Sequence, residues 1–152
     1  MFSFFKKEKK KKSPIPDFDG KLIKKFHKDH EKLVKHITNI NKAVENNEIV
    51  KAKQGLKKLK MELLGHFMEE DIKLYWYLKD HYRGSENTIE TIKMFEESIK
   101  KIQKDVVKFL DHYAQEEIAL DQGFKKEFAG IVEALSTRIA TEESNLYPLY
   151  TK

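Results

Sequence analysis

The stretch LLGHFMEEDIKLYWYL, residues 63–78, decides how this chain is read. Leu63, His66, Glu70, Leu74 and Tyr77 recur at steps of three and four residues, the spacing that puts side chains on one face of an α-helix rather than of a strand. Followed outward, the stripe takes in Ala52, Leu56 and Leu59 before it and His81 after it. A histidine and a carboxylate therefore interrupt an otherwise apolar helical face at its middle.

Three more segments carry the same period. The first runs Ile23, Phe26, His30, Leu33, Ile37, Ile40, Val44, with Asp17 or Asp19 available as N-cap. The third runs Ile92, Phe95, Ile99, Ile102, Val106, Phe109, Tyr113, or shifts by one face to admit Glu96 and Gln103. Asn87 with Glu90 offers it a start resembling a capping box. The fourth runs Phe124, Phe128, Ile131, Leu135, Arg138 or Ile139, Glu142, Leu146, and ends at Pro148. Turn residues cluster at SPIPDFDG (13–20), VENNEI (44–49), YRGSEN (82–87) and LDQG (120–123). Long helices joined by short connections pack as antiparallel neighbours. The expected fold is thus all-α, an antiparallel up-down-up-down four-helix bundle over residues 17–152.

The chain has 152 residues and a formal net charge of +5, and that charge is local. Residues 1–12, MFSFFKKEKKKK, hold six lysines and one glutamate, which leaves 24 basic and 24 acidic residues in the remainder. Residues 1–16 are expected to form a basic, disordered tail, and Phe2, Phe4 and Phe5 beside the lysines also suit weak contact with an anionic membrane surface. No recognition-helix pattern supports specific nucleic-acid binding. The absence of cysteine excludes disulfides, thiolate nucleophiles and sulfur-ligated metals. No apolar run is long enough to span a bilayer, and MFSFF does not have the form of a secretory signal, so the expected compartment is the cytoplasm.

Counting outward from the turns, at roughly 1.5 Å per helical residue, brings the polar interruptions to one level. His30, His66, Glu70 and Glu142 form a layer, with Glu96 within reach of it if the third helix turns that way. Buried carboxylates need a compensating cation, because an unpaired one costs several kcal/mol or neutralises. His66 and Glu70 stand at i and i+4, where a helix presents imidazole and carboxylate to the same ion. Such a donor set suits iron, manganese or zinc.

FHKDHEKLVKHI (26–37) and LLGHFMEEDIKLYWYL resemble the hemerythrin-like, or HHE cation-binding, domains. The resemblance implies a bundle around a non-haem iron pair, with an HxxxE pattern on the second helix and again on the fourth. This chain carries that repeat: HFMEEDIKLYW (66–76) aligns without gaps to RIATEESNLYP (138–148), pairing Glu70 with Glu142, Leu74 with Leu146 and Tyr75 with Tyr147. It departs from the pattern in two places. Arg138 stands where the fourth helix should carry histidine, and on the third helix His112 lies near the far end. The metal set carried over is His30, His66, Glu70 and Glu142, with Glu96 as a substitute from outside the family pattern. One or two iron ions are implied, binding or sensing oxygen or nitric oxide without catalytic turnover.

Arg138 also admits a different solution. At i to the i+4 Glu142, a guanidinium can pair with the carboxylate and act as a built-in cation. FKKEFAGIVEALSTRIATEESNLY (124–147) and LLGHF are similar to helices of the bacterial regulator-of-sigma-D family, which implies a metal-free regulatory bundle that binds a sigma factor or other transcription partner. His27, His36, His81 and His112 read as surface or rim residues, and Glu31, Glu69, Asp71 and Glu143 as solvated charges turned away from the layer. Tyr75, Trp76, Tyr77, Tyr82, Tyr147 and Tyr150 read as packing at the bundle end or as a partner surface. No nucleophile with its base, glycine-rich phosphate loop or acid–base pair is evident, so an enzyme is not expected.

Overall fold

The computed structural model describes residues 15–152, and all the regular structure among them is helical. Helix α1 spans Leu22–Glu45. Helix α2 begins at Ile49–Glu69, continues through a π-helical segment, Glu70–Tyr75, and returns to α-geometry over Trp76–His81. Helix α3 spans Glu86–Tyr113. Helix α4 begins at Gln122–Thr141, passes into a second π-helical segment, Glu142–Leu146, and closes with a 3₁₀ turn, Tyr147–Leu149. The architecture is the four-helix bundle that the stripes require. The expectations for the basic tail fall on residues outside those described, apart from Ile15 and Pro16.

Each turn has its own physical reason. Asn47 adopts φ 57° after α1, a left-handed conformation in which asparagine is among the most tolerant residues after glycine. Gly84, with φ 101°, turns the chain between α2 and α3. Asp121 caps α4 by accepting from the Phe124 amide at 3.1 Å. The caps expected for α1 and α3 differ. Lys21 occupies the N-cap of α1, while Asp19 Oδ1 accepts from the Lys21 amide at 2.9 Å one step earlier. Ser85 precedes α3, without a side-chain cap, in place of the Asn87 box. Between α3 and α4 the chain is held by buried Lys53, whose Nζ donates to the carbonyls of Tyr113 at 2.7 Å, Gln115 at 2.5 Å and Ile118.

The core follows the stripes with one systematic change. Phe26, Leu33, Ile37 and Ile40 of α1 meet Leu56, Leu59 and Leu63 of α2, and Ile92, Ile99 and Val106 turn inward from α3. Gly55 lets α1 approach closely, since a Cβ there would lie 2.8 Å from Ile40 Cγ1. Beyond Glu70, however, Leu74, Tyr75 and Leu78 are buried where a continuous α-helix would turn Tyr77 and His81 inward. In an α-helix residue i+5 lies roughly 140° from residue i. The wider π turn, closed by i→i+5 bonds, brings it back toward the same face. This happens in both halves of the sequence repeat: Glu70, Leu74 and Tyr75 are inside α2, and Glu142, Leu146 and Tyr147 are inside α4.

Aromatic residues close the two ends. Phe109, Phe124 and Phe128 stack at one, with Tyr113 edge-on to Phe124, and the Phe109 and Phe128 centroids are 5.8 Å apart. At the other, Phe18 stacks on Tyr150, whose hydroxyl accepts from the Asp19 amide at 2.8 Å. Of the six aromatics expected there, Tyr75, Tyr147 and Tyr150 are buried, Tyr77 and Tyr82 are half-buried and Trp76 is exposed. Among the described residues no helix is long and apolar enough to cross a membrane.

Candidate metal centre

Three helices bring four donor side chains to one point in the core. His30 comes from α1, His66 and Glu70 from α2 and Glu142 from α4, and one donor atom from each lies within 4.8 Å of every other. All four are buried, Glu70 at 1% exposure. His30 Nε2 is 3.2 Å from His66 Nε2 and 3.3 Å from Glu142 Oε1. His66 Nε2 is 3.3 Å from Glu70 Oε2. Donors about 2.1 Å from a common ion stand roughly 3.0–3.4 Å apart at right-angled to tetrahedral geometry, and these three separations fall in that range.

The outer ring of contacts aims these donors. His30 Nδ1 lies 2.8 Å from Glu143 Oε2, and His66 Nδ1 lies 2.9 Å from Asp29 Oδ2. With Nδ1–H donating to its carboxylate, each neutral ring directs its Nε2 lone pair inward, the arrangement typical of metal-ligating histidine. Two such lone pairs at 3.2 Å repel unless a cation or a proton stands between them. Asp29 is itself held by Lys25 Nζ at 3.1 Å, and Lys25 also binds Glu69. His27 Nδ1 shares the Glu143 oxygen at 3.0 Å. Glu143 and Glu69 are thus committed to these contacts, contrary to their expected role as free solvated charges.

Electrostatics record the same demand for a cation. Burial opposes charge on His66, but hydrogen bonds to Glu70 and Asp29 and the charges of Glu70 and Glu142 outweigh it and push the pKa up to about 9. For His30 burial is likewise outweighed by Glu142 and Glu143, and the net shift is upward. Burial pushes Glu142 up, with the neighbouring Glu70 charge adding to it. Burial also acts to raise Glu70, but hydrogen bonding to His66 prevails and holds it down. Glu70 Oε1 and Glu142 Oε2 are buried with no hydrogen-bond partner among the described residues. Unsatisfied carboxylate oxygens beside converging imidazoles fit a metal ion.

Glu96 stands apart from this group. Lys79 Nζ holds it at 3.0 and 3.1 Å, and α3 turns Ile92, Ile99 and Val106 inward instead, with Gln103 half-buried. Arg138 is buried in the position where the repeat would place a second inward histidine. Its Nη2 donates to Tyr75 Oη at 3.0 Å and to the Phe95 carbonyl at 2.7 Å, and its guanidinium carbon lies 5.0 Å from the Phe95 ring centroid. Its Nε is 3.5 Å from Glu142 Oε2. Asp29 and Tyr147 join the site although the helical period points to neither. The Tyr147 hydroxyl lies 2.7 Å from Glu70 Oε2, 3.2 Å from Glu142 Oε1 and 3.2 Å from His30 Nε2.

The hemerythrin HHE cation binding domain model matches residues 21–150. The chain belongs to the hemerythrin HHE family. No curated protein and no solved structure gives a significant match. Hemerythrin membership and the His/Glu cluster together fit a metal-binding protein. In this chain the repeat is chemically uneven: His66 of the first half faces the cluster, whereas its counterpart Arg138 binds Tyr75 and the Phe95 carbonyl.

Proposed function

We propose that the protein binds a single non-haem iron ion through His30, His66, Glu70 and Glu142, and that it binds or senses oxygen or nitric oxide in the cytoplasm without catalytic turnover. The observation that carries this reading is the pair of inward-facing imidazole nitrogens, 3.2 Å apart and each backed by a carboxylate, beside two carboxylates with unsatisfied oxygens. Bound iron would supply a redox-active Lewis acid with coordination positions open to a small gas. The chain's own residues supply the rest. Asp29 and Glu143 orient the imidazoles, Phe26 packs edge-on to His66 at 5.2 Å, and the apolar layers around Leu63 and Leu74 keep bulk water out.

Two surface grooves end on these orienting groups. One, of about 550 Å³, lies between α1 and α2 and reaches Asp29 and His66; the other, of about 420 Å³, reaches His30 and Glu143. A metal ion or a diatomic gas would approach the two imidazoles from these sides. Arg138 supports the count of one ion, since a permanent charge at that position disfavours a second cation. Arg138 lies beside Glu142, so Glu70 is balanced by another cation, a bound metal ion or, in the metal-free protein, the protonated His66.

Anaerobic reconstitution with iron(II), followed by elemental analysis, tests the proposal. The expected stoichiometry is close to one iron per chain, with a raised Tm and a visible-spectrum change on adding nitric oxide or oxygen. Substoichiometric iron together with an unchanged Tm would sink it. Co-purification of a sigma factor with iron-free protein from the native cell would favour the regulator.

A further inference from the structure

The Tyr147 hydroxyl has the contacts of a donor inside the cluster. It stands 2.7 Å from Glu70 Oε2, 3.2 Å from Glu142 Oε1 and 3.2 Å from His30 Nε2, the last two close to the 3.2–3.3 Å that separate His30 from His66 and each histidine from its glutamate. Tyr147 is 3% exposed, and its ring stacks on His30 with centroids 5.8 Å apart and planes 13° from parallel. A phenol that merely closed the bundle end would need one hydrogen-bond partner. This one reaches three of the four residues that converge on the centre. The π turn from Glu142 to Leu146 places it there, because a regular helix would carry residue i+5 away from Glu142's face.

We infer that Tyr147 is a fifth protein ligand, its phenolate oxygen binding iron(III) alongside His30, His66, Glu70 and Glu142. The inference rests on the iron reading above and adds to the residues that the sequence pattern identifies. On binding, the Tyr147 O–H bond breaks, an oxygen–iron bond forms and the proton leaves to solvent, as metal sites release protons from their ligands. Five protein donors would leave a six-coordinate ion room for one exogenous ligand. The counterpart tyrosine serves as a built-in contrast. Tyr75 occupies the same place in the repeat but accepts from Arg138 Nη2, so it makes no phenolate ligand.

The experiment loads the full chain with iron(III) from its nitrilotriacetate complex and records iron content, the visible spectrum and resonance Raman scattering. The expected result for the unmodified protein is a phenolate-to-iron(III) charge-transfer band whose excitation enhances tyrosinate ring modes. Tyr147→Phe abolishes the band while retaining bound iron, and Tyr75→Phe keeps it. Iron bound to the unmodified protein without such a band, or a band that survives in Tyr147→Phe, overturns the inference and leaves the iron reading standing. Failure of the unmodified protein to bind iron overturns both. Should Tyr147→Phe fail to fold by circular dichroism, the Raman modes of the unmodified protein still decide the outcome.

Discussion

His30 Nε2 and His66 Nε2 face each other at 3.2 Å across the α1–α2 interface, while the opposite nitrogen of each ring is bound by a carboxylate, Glu143 for one and Asp29 for the other. Two neutral imidazoles so held present lone pair to lone pair. The arrangement is stable when a proton or a metal ion lies between them, and each alternative leads to a measurable outcome.

In the metal-free protein the proton plays that part. The His66 pKa of about 9 lies above its ordinary value of 6.5. Its contribution to stability is therefore complete below the unfolded value and is lost as pH rises from about 6.5 through about 9. Urea denaturation of the metal-free protein should show falling stability across that window. The metal must displace the same proton, so metal affinity should rise by about tenfold per pH unit between pH 7 and 9 for each proton released. Chelator competition at several pH values measures this, and a flat profile would count against His66 as a ligand.

Asp29→Ala removes the acceptor that aims His66. It should weaken metal binding by about 10–100-fold while leaving the helical content unchanged. Competition titration with a chelator of known affinity provides the comparison, and Glu143→Ala should act in the same direction through His30.

Arg138→Met leaves Tyr75 and the Phe95 carbonyl without their donor and deprives Glu142 of its nearby guanidinium. Loss of one partner from a buried charged network should destabilise the metal-free protein by about 3 kcal/mol, read from urea denaturation. Arg138→His restores the histidine of the repeat and removes the fixed charge. It should raise the iron content above that of the unmodified protein, and equal content would argue against Arg138 occupying cation space.

Lys53→Met tests the far end of the bundle. Three carbonyls at the close of α3 lose a common donor, and the cost should be about 2–3 kcal/mol, the penalty of leaving buried acceptors unpaired. Hydrogen exchange should quicken in residues 114–121, whereas iron binding should be unchanged because Lys53 makes no contact with the cluster.

The amino-acid sequence by itself determined the four helices, since three- and four-residue apolar spacing has one solution, and short connections make neighbours antiparallel. It also placed His30, His66, Glu70 and Glu142 at one height, because helix rise is constant and the turns lie near glycine, asparagine and aspartate. What only the tertiary structure decided depends on rotation about the helix axes and on contacts between helices. The π turns at Glu70 and Glu142 break the 3.6-residue count, so Tyr147 enters the cluster and Tyr75 meets Arg138, although the unbroken period placed neither there. Asp29 and Glu143 become partners of the histidines only when α1 lies against α2 and α4. Glu96 stands apart for the same reason: the apolar face of α3 is buried more favourably on the Ile92, Ile99 and Val106 side, and Lys79 supplies the carboxylate with a partner nearer the surface.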